Sequence, residues 1–307
     1  VCSAAVAALL AGFAAEQTRS VSAIAAKLGA LAGEAMLCEV SCTPSPGLVD
    51  RNNNGAHSDM DFFTFMAGSA AIFLSLARCA QAGLNHSPTD LGSLLPVLRR
   101  IGREGEQAMF AATGGVNTQK GLLFSLGIVA AAAGWRLRNG PKLTAASLFE
   151  AVAGITAGLV KRELEGLRVP ERRLTAVERL YLEYGVTGIR GELENGLPAV
   201  RECGRPALKR WLAAGLDLNG ALVNTLLELL LVVEDTTIMS RHNPAKLRTW
   251  VRRRAGEVLA AGGMATARGR EMVAALDEEF IRQNISPGGA ADLLAVTWFI
   301  HRLVISD

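Results

Sequence analysis

VSAIAAKLGALAGEAMLCEVSC, residues 21–42, is the stretch that settles the fold class. Ile24, Leu28, Leu31, Ala35, Cys38 and Cys42 follow one another at intervals of four, three, four, three and four, a single apolar stripe on an α-helix. The same period covers 62–82, 91–112, 120–137, 143–163, 172–184, 206–214, 218–234, 244–262, 267–283 and 288–304. No run of alternating β-branched residues and no repeat period interrupts it. The pattern predicts an all-α protein, a single large globular multi-helix domain over 1–307 with about a dozen helices. The polar region 161–210 is the expected flap. Breaks fall at Asn139-Gly140-Pro141 and Asn195-Gly196. Ser58 and Ser286-Pro287 have the form of helix starts.

Composition agrees. Of 307 residues, 50% are hydrophobic and only 5% aromatic, so a large Ala/Leu/Gly core is available for close helix packing. A net charge of +3 is too mild for nucleic acid as the main partner. The five cysteines form no C-x-x-C pair, and Cys38 and Cys42 lie on the apolar stripe. They are expected to be free thiols packed as small apolar residues in a reducing, cytoplasmic setting. The run Ala4–Ala15 lacks a basic flank and is expected to be helix, not a signal peptide. Leu122–Trp135 and Ala221–Val233 fall short of the roughly 20 residues a membrane span needs, so no membrane partner is expected. Apolar residues on so many helices make a homodimer plausible.

The helical pattern breaks most sharply directly after residue 42. Residues 39–62, EVSCTPSPGLVDRNNNGAHSDMDF, hold Pro44, Pro46, Arg51, Asn52, Asn53, Asn54, His57, Asp59 and Asp61, more hydrogen-bonding groups than a connector requires. Three further polar clusters sit at helix ends. Gly114–Gly121 contains Asn117, Thr118 and Lys120 ahead of a helix, where backbone N–H groups favour an anion. Asn224, Glu228, Leu231 and Asp235 share one face of an apolar helix. Ser286, Gly288 and Gly289 open the last helix, with Asp292 a turn and a half in. Glu39 and Asp235 lie at helix C-terminal ends, where the dipole disfavours acids and a cation is needed; Asp59 and Asp61 lie with the dipole. Arg190 and Glu192, between Gly188 and Gly191, form a secondary candidate site. Arg248, Arg252, Arg253 and Arg254 are expected on a solvated face.

At these residues the chain resembles the triphosphoribosyl-dephospho-coenzyme A synthase family, whose members serve citrate lyase and malonate decarboxylase. The matching pieces are residues 39–62, TGGVNTQKGLLFSLG at 113–127, NTLLELLLVVEDTTIMSR at 224–241 and FIRQNISPGGAADLLAVTWF at 280–299, in family order. The third departs at Asp235-Thr236-Thr237 and Arg241-His242, where the family has Asp-Thr-Asn and Arg-Gly. The resemblance implies transfer of the 5-triphosphoribosyl group of ATP to the ribose 2′-hydroxyl of 3′-dephospho-CoA, with release of adenine. The product precedes a prosthetic group that a separate phosphoribosyl-dephospho-CoA transferase attaches to an acyl carrier subunit. Chain length and Ala/Arg content favour the malonate decarboxylase branch.

Displacement at an anomeric carbon needs a carboxylate to take the hydroxyl proton, acids to hold Mg²⁺ on the triphosphate, and cations for phosphate. The expected assignment has Glu39 as the first candidate for base, with Asp59 and Asp61 beside the reaction. Asp59, Asp61, Glu228, Asp235 and Asp292 are the expected Mg²⁺ set. Arg51, Lys120, Arg241, Ser286, Gly288 and Gly289 hold phosphates, while Asn52, Asn53, Asn54, His57, Asn117 and Thr118 contact nucleotide. The alternatives are an Mg²⁺-dependent hydrolase of the ADP-ribosylglycohydrolase kind, with water as acceptor, and a non-catalytic nucleotide- or CoA-binding helical protein.

Overall fold

The computed structural model describes residues 2–87, 89–140, 142–165 and 174–304, with side chains from Val21 onward. Among the described residues there are thirteen α-helices and no strand. They are α1 (Cys2–Ser41), α2 (Phe62–Leu84), α3 (Leu94–Ala112), α4 (Lys120–Asn139), α5 (Ala145–Thr156), α6 (Ala176–Tyr184), α7 (Ile189–Glu194), α8 (Arg205–Ala213), α9 (Leu218–Val232), α10 (Thr236–Arg241), α11 (Arg252–Ala260), α12 (Ala267–Arg282) and α13 (Gly288–Leu303). The all-α expectation holds.

Boundaries differ where local chemistry overrides period. The segment read as one helix over 143–163 stops at Thr156, because Gly158 takes φ +71°, and resumes as a π-turn at Lys161–Glu165. The short helices α7 and α10 carry too few residues to display a period. The start of α2 is Asp61, not Ser58: its carboxylate accepts from Thr64 N while the Thr64 hydroxyl bonds back to the Asp61 N–H. At α13 the N-cap is Pro287, and the Ser286 hydroxyl turns away to His57.

The core is centred on α4, where Ile128 through Ala133 are all within 1% of complete burial. Small residues let α2 and α4 touch backbone to backbone. A Cβ on Gly83 would lie 1.9 Å from the Ala131 carbonyl oxygen, and one on Gly134 2.3 Å from that of Ala80. Helix α13 packs its Leu293–Ile300 stretch against α1, α4 and α9. On the far side of α2 the chain leaves Phe63 77% and Leu74 67% exposed.

The expectation about membrane-spanning length is corrected. By length and composition Val21–Ser41, Phe62–Leu84 and Lys120–Asn139 are each long and apolar enough to cross a membrane. Counting only unbroken apolar runs missed them, because small polar residues and isolated charges such as Lys27, Glu34 and Arg78 interrupt the runs while the mean hydropathy stays high. For α4 the apolar length is explained by packing, since 67% of it is buried inside the protein. Cys38, Cys42, Cys79 and Cys203 are free thiols; burial pushes Cys203 up to about 11 and Cys79 up to about 12, so both stay protonated and unreactive.

Candidate active site

A cavity of about 1080 Å³ opens where the C-terminal turn of α1, the first turn of α4, residues 175–198, the α9–α10 connection and the first turn of α13 meet. Of the residues expected at a site, Glu39, His57, Asp59, Asn117, Thr118, Lys120, Arg241, Ser286, Gly288, Gly289 and Asp292 line it. Residues that lie more than 250 positions apart in sequence are thus brought to one chamber. The region expected as a flap supplies an entire wall, from Thr175 to Pro198; residues 166–173 lie outside the described part of the chain.

Two carboxylates define the floor. The carboxylate of Glu39, a residue 8% exposed in the last turn of α1, has no hydrogen bond or ion pair among the described residues, and burial pushes its pKa up to about 8. Asp292 faces it from α13. Burial raises its pKa well above the ordinary carboxylate range, and the nearby charges of Glu39 and Asp235 push it further. Its carboxylate rests on the first turn of α4, so a Cβ added to Gly121 would come within 2.2 Å of Oδ2. This is a buried pair of acids with no cation against it among the described residues.

The polar loop of residues 43–57 is mostly self-satisfied, which corrects part of the expected ligand set. Asp50 accepts from the backbone N–H groups of Ser45 (3.0 Å), Asn52 (2.7 Å) and Asn53 (3.0 Å). Asp277, on α12, accepts from Gly47 N (2.8 Å) and from the Asn53 amide (2.8 Å). The Asn52 amide donates to the Thr43 hydroxyl, and Arg51 Nε to the Ser41 carbonyl at the end of α1. Arg51, Asn52, Asn53 and the exposed Asn54 do not line the cavity. Gly47 explains the tightness: at φ +73° a Cβ would stand 2.1 Å from the Ile285 carbonyl oxygen. The loop presents His57 instead, whose Nε2 lies 2.9 Å from Ser286 Oγ. Burial, then Arg241, lowers the His57 pKa, which favours the neutral ring.

Three of the expected metal ligands are engaged elsewhere. Helix α9 ends at Val232, so Asp235 is not at its C-terminus but is the N-cap of α10, accepting from Thr237 N (2.9 Å) and Ile238 N (3.1 Å). Its second oxygen takes Ala290 N (2.8 Å) at the head of α13, and the residue is fully buried. That carboxylate also answers the α13 N-terminus that was expected to hold phosphate. Asp61 is occupied as the cap of α2 and does not line the cavity. Glu228 sits on the far side of α9, paired with Arg210 at 2.5 Å and the Trp211 indole at 2.6 Å. Asp59 lines the cavity, 3.6 Å from His57 Nδ1, with its side chain 60% exposed.

Among the described residues no group of three or more His, Cys, Asp or Glu is arranged to hold a metal ion. Mg²⁺ commonly takes one or two carboxylates with the rest of its shell from substrate phosphate and water. Asp292, buried beside Glu39 with no cation against it among the described residues, fits that pattern; the larger five-residue set does not.

Several lining residues escaped the sequence reading. Arg99 was hidden in the polar face of an amphipathic helix, and Arg248 in a run of arginines. Both reach the cavity, Arg248 while bonded to Glu234 through Nε at 3.0 Å. Tyr184 and Thr187 come from the expected flap. Gln119, 3% exposed, also lines the cavity; neither its Nε2 nor the neighbouring Thr118 hydroxyl has a hydrogen-bond partner among the described residues. Arg190 and Glu192, the secondary candidates marked by their flanking glycines, both line the cavity.

Residues 25–306 match the CitG family, ATP:dephospho-CoA triphosphoribosyl transferase. A relative from Malonomonas rubra, named "Probable 2-(5''-triphosphoribosyl)-3'-dephosphocoenzyme-A synthase", is 43% identical over 283 residues, covering 92% of this chain and 89% of its own. One of the same name from Vibrio cholerae serotype O1 (strain M66-2) is 43% identical over 277 residues, covering 90% and 88%. A third, from Pectobacterium atrosepticum, named "2-(5''-triphosphoribosyl)-3'-dephosphocoenzyme-A synthase", is 42% identical over 267 residues, covering 87% and 86%. No solved structure matches the chain.

Proposed function

Because the chain belongs to the CitG family of ATP:dephospho-CoA triphosphoribosyl transferases, we propose that it joins C1 of the ATP ribose to the 2′-oxygen of 3′-dephospho-CoA. The glycosidic C1–N9 bond of ATP breaks, adenine leaves with the bond's electron pair and a proton, and 2′-(5″-triphosphoribosyl)-3′-dephospho-CoA forms. The observation that carries this reading is the buried Glu39–Asp292 floor, without a cation among the described residues, beneath a cavity of about 1080 Å³, roomy enough for two nucleotides.

In this reading Glu39 takes the proton from the attacking 2′-hydroxyl. The groups around it hold the acceptor and exclude water, so that displacement proceeds through an oxocarbenium-like state. Asp292, with Glu39 beside it, is the carboxylate that would hold Mg²⁺, and Asp59 stands at the rim. When bound, Mg²⁺ would offset triphosphate charge and draw the Glu39 proton off at lower pH. His57, Ser286 and Arg241 form a second polar wall suited to the diphosphate of dephospho-CoA. The product would pass to a transferase loading an acyl carrier subunit; we favour that of malonate decarboxylase over that of citrate lyase. Both substrates are soluble metabolites of the cytoplasm, which supports that compartment.

One incubation with ATP, Mg²⁺ and dephospho-CoA, read by mass spectrometry, tests the reaction. Free adenine and the triphosphoribosyl adduct are the expected products in equal amounts. Adenine released at the same rate without dephospho-CoA would instead indicate a hydrolase, and neither product would remove the proposal. A homodimer across the exposed Phe63–Leu74 face of α2 is proposed as well. Sedimentation velocity should give twice the chain mass; a single-chain mass at micromolar concentration would discard it.

A further inference from the structure

Beyond the acids, the cavity has a second organised feature on its α3–α7 side. Arg99 of α3 and Arg190 of α7 grip the two oxygens of one carboxylate, Glu163: Arg190 Nε lies 2.7 Å from Oε2, and Arg99 Nη2 bonds Oε1. Arg99 also sits over the Phe124 ring of α4, its Cζ 4.6 Å from the ring centre. Arg99, Arg190 and Phe124 all line the cavity. Four separate stretches of chain thus fix the planes of two guanidinium groups, which a merely solvated arginine pair would not need.

Counting hydrogen-bond donors separates this pair from the other cations of the cavity. A guanidinium has five N–H groups. Arg241 directs Nη1 at Ala56 O (2.9 Å) and Asn284 Oδ1 (3.1 Å), and Nη2 lies 3.5 Å from His57. Arg248 engages Glu234 with both Nε and Nη2. Lys120 pairs with Glu106 at 2.9 Å. By contrast, Arg190 uses only Nε and Arg99 only Nη2, so both terminal nitrogens of Arg190 and the Nε and Nη1 of Arg99 have no partner among the described residues. Glu163 neutralises one of the two charges, which keeps the arginines from repelling each other and leaves a net single positive charge. Two oriented forks with free donors suit a chain of phosphates far better than a single point charge does.

We propose that Arg99 and Arg190, oriented by Glu163 and Phe124, form the subsite for the triphosphate of ATP. The assignment rests on the transferase reading for the identity of the nucleotide, though not for the existence of an oligophosphate site. Arg99 and Arg190 contact the phosphates; Glu163 is a positioning residue. The diphosphate of the acceptor is left to the Arg241 side, where fewer donors are free.

Calorimetric titration with inorganic tripolyphosphate tests the subsite without requiring turnover. The parent protein is expected to bind it, and Arg99→Gln and Arg190→Gln to weaken binding by about tenfold or more each. Arg190→Lys, which keeps the charge and loses the fork, should fall between. In steady-state assays Arg190→Gln should raise KM for ATP by about tenfold and leave KM for dephospho-CoA within about twofold. Unchanged tripolyphosphate affinity in both glutamine variants, with parental thermal melting, would overturn the proposal. So would a rise in KM confined to dephospho-CoA. If the arginines govern tripolyphosphate binding but no adenine is formed from the two substrates, the transferase reading fails and the subsite stands. If adenine forms while both variants bind normally, only the subsite fails.

Discussion

Glu39→Gln should lower the rate of adenine release by about a hundredfold or more, while leaving the protein more stable than the parent. The two effects share a cause. A carboxyl pushed up to about 8 by burial binds its proton more tightly in the folded chain than in the unfolded one. Below its unfolded pKa, near 4.5, the group is protonated in both states and carries no penalty. As pH rises toward about 8 the unfolded chain loses the proton first, so stability falls across that window and stays lowered above it. The cost is a few kcal/mol at its full extent. The glutamine removes this slope and also removes one of the two charges that push Asp292 up. Urea midpoints between pH 5 and 9 read the stability; the adenine assay reads the rate. For a base, parental kcat/KM should climb with pH until Glu39 is ionised. Normal turnover by the variant would sink the base assignment, and a parental rate that falls over that range would point to Glu39 as an acid.

Asp235→Ala is the second large effect, and its signature is the opposite one. Its carboxylate ties the start of α10 to the start of α13 through three backbone N–H groups, those of Thr237, Ile238 and Ala290, at 2.9, 3.1 and 2.8 Å. Alanine leaves these donors buried with nothing to bond, costing about 3–5 kcal/mol. Denaturant midpoints should drop accordingly, and activity should be lost through the fold at any Mg²⁺ concentration. Asparagine, which keeps one acceptor but turns an N–H toward a donor, should be milder. A metal ligand would behave differently: the alanine variant would melt like the parent and need more Mg²⁺. An unchanged midpoint would refute the capping role.

These two acids show how far the sequence could be read. Both lay near the predicted C-terminal end of an apolar helix, and the dipole argument marked both as needing a partner. For Glu39 it held, because α1 does run to Ser41. For Asp235 it failed, since α9 stops three residues earlier and a six-residue helix follows that no periodicity could announce. The asparagines of the 43–57 loop misled for a related reason. Their partners, Asp50 and Asp277, are acids on the same loop and on α12, and hydrogen bonds across more than 200 residues leave no trace in local pattern. Arg99 was invisible because a helical arginine pointing to solvent and one pointing into a chamber follow the same spacing. The helices themselves were legible because each buries a stripe, and that requirement is local.

The stitching of the 43–57 loop also bears on how the chain acquires its site. Thr43 meets Asn219, Gly47 meets Asp277, Ala56 meets Arg241 and His57 meets Ser286, at separations of 176, 230, 185 and 229 residues. During synthesis α1 through α4 can pack against one another as soon as they emerge, but these long-range partners of the loop all lie in the last third of the polypeptide. Helical content should therefore recover before binding competence when the denatured protein is returned to native conditions. A chain cut short before α12 would keep much of its helix yet never assemble the chamber. The site is a late event, closed only when residues beyond 218 reach back to a loop made early.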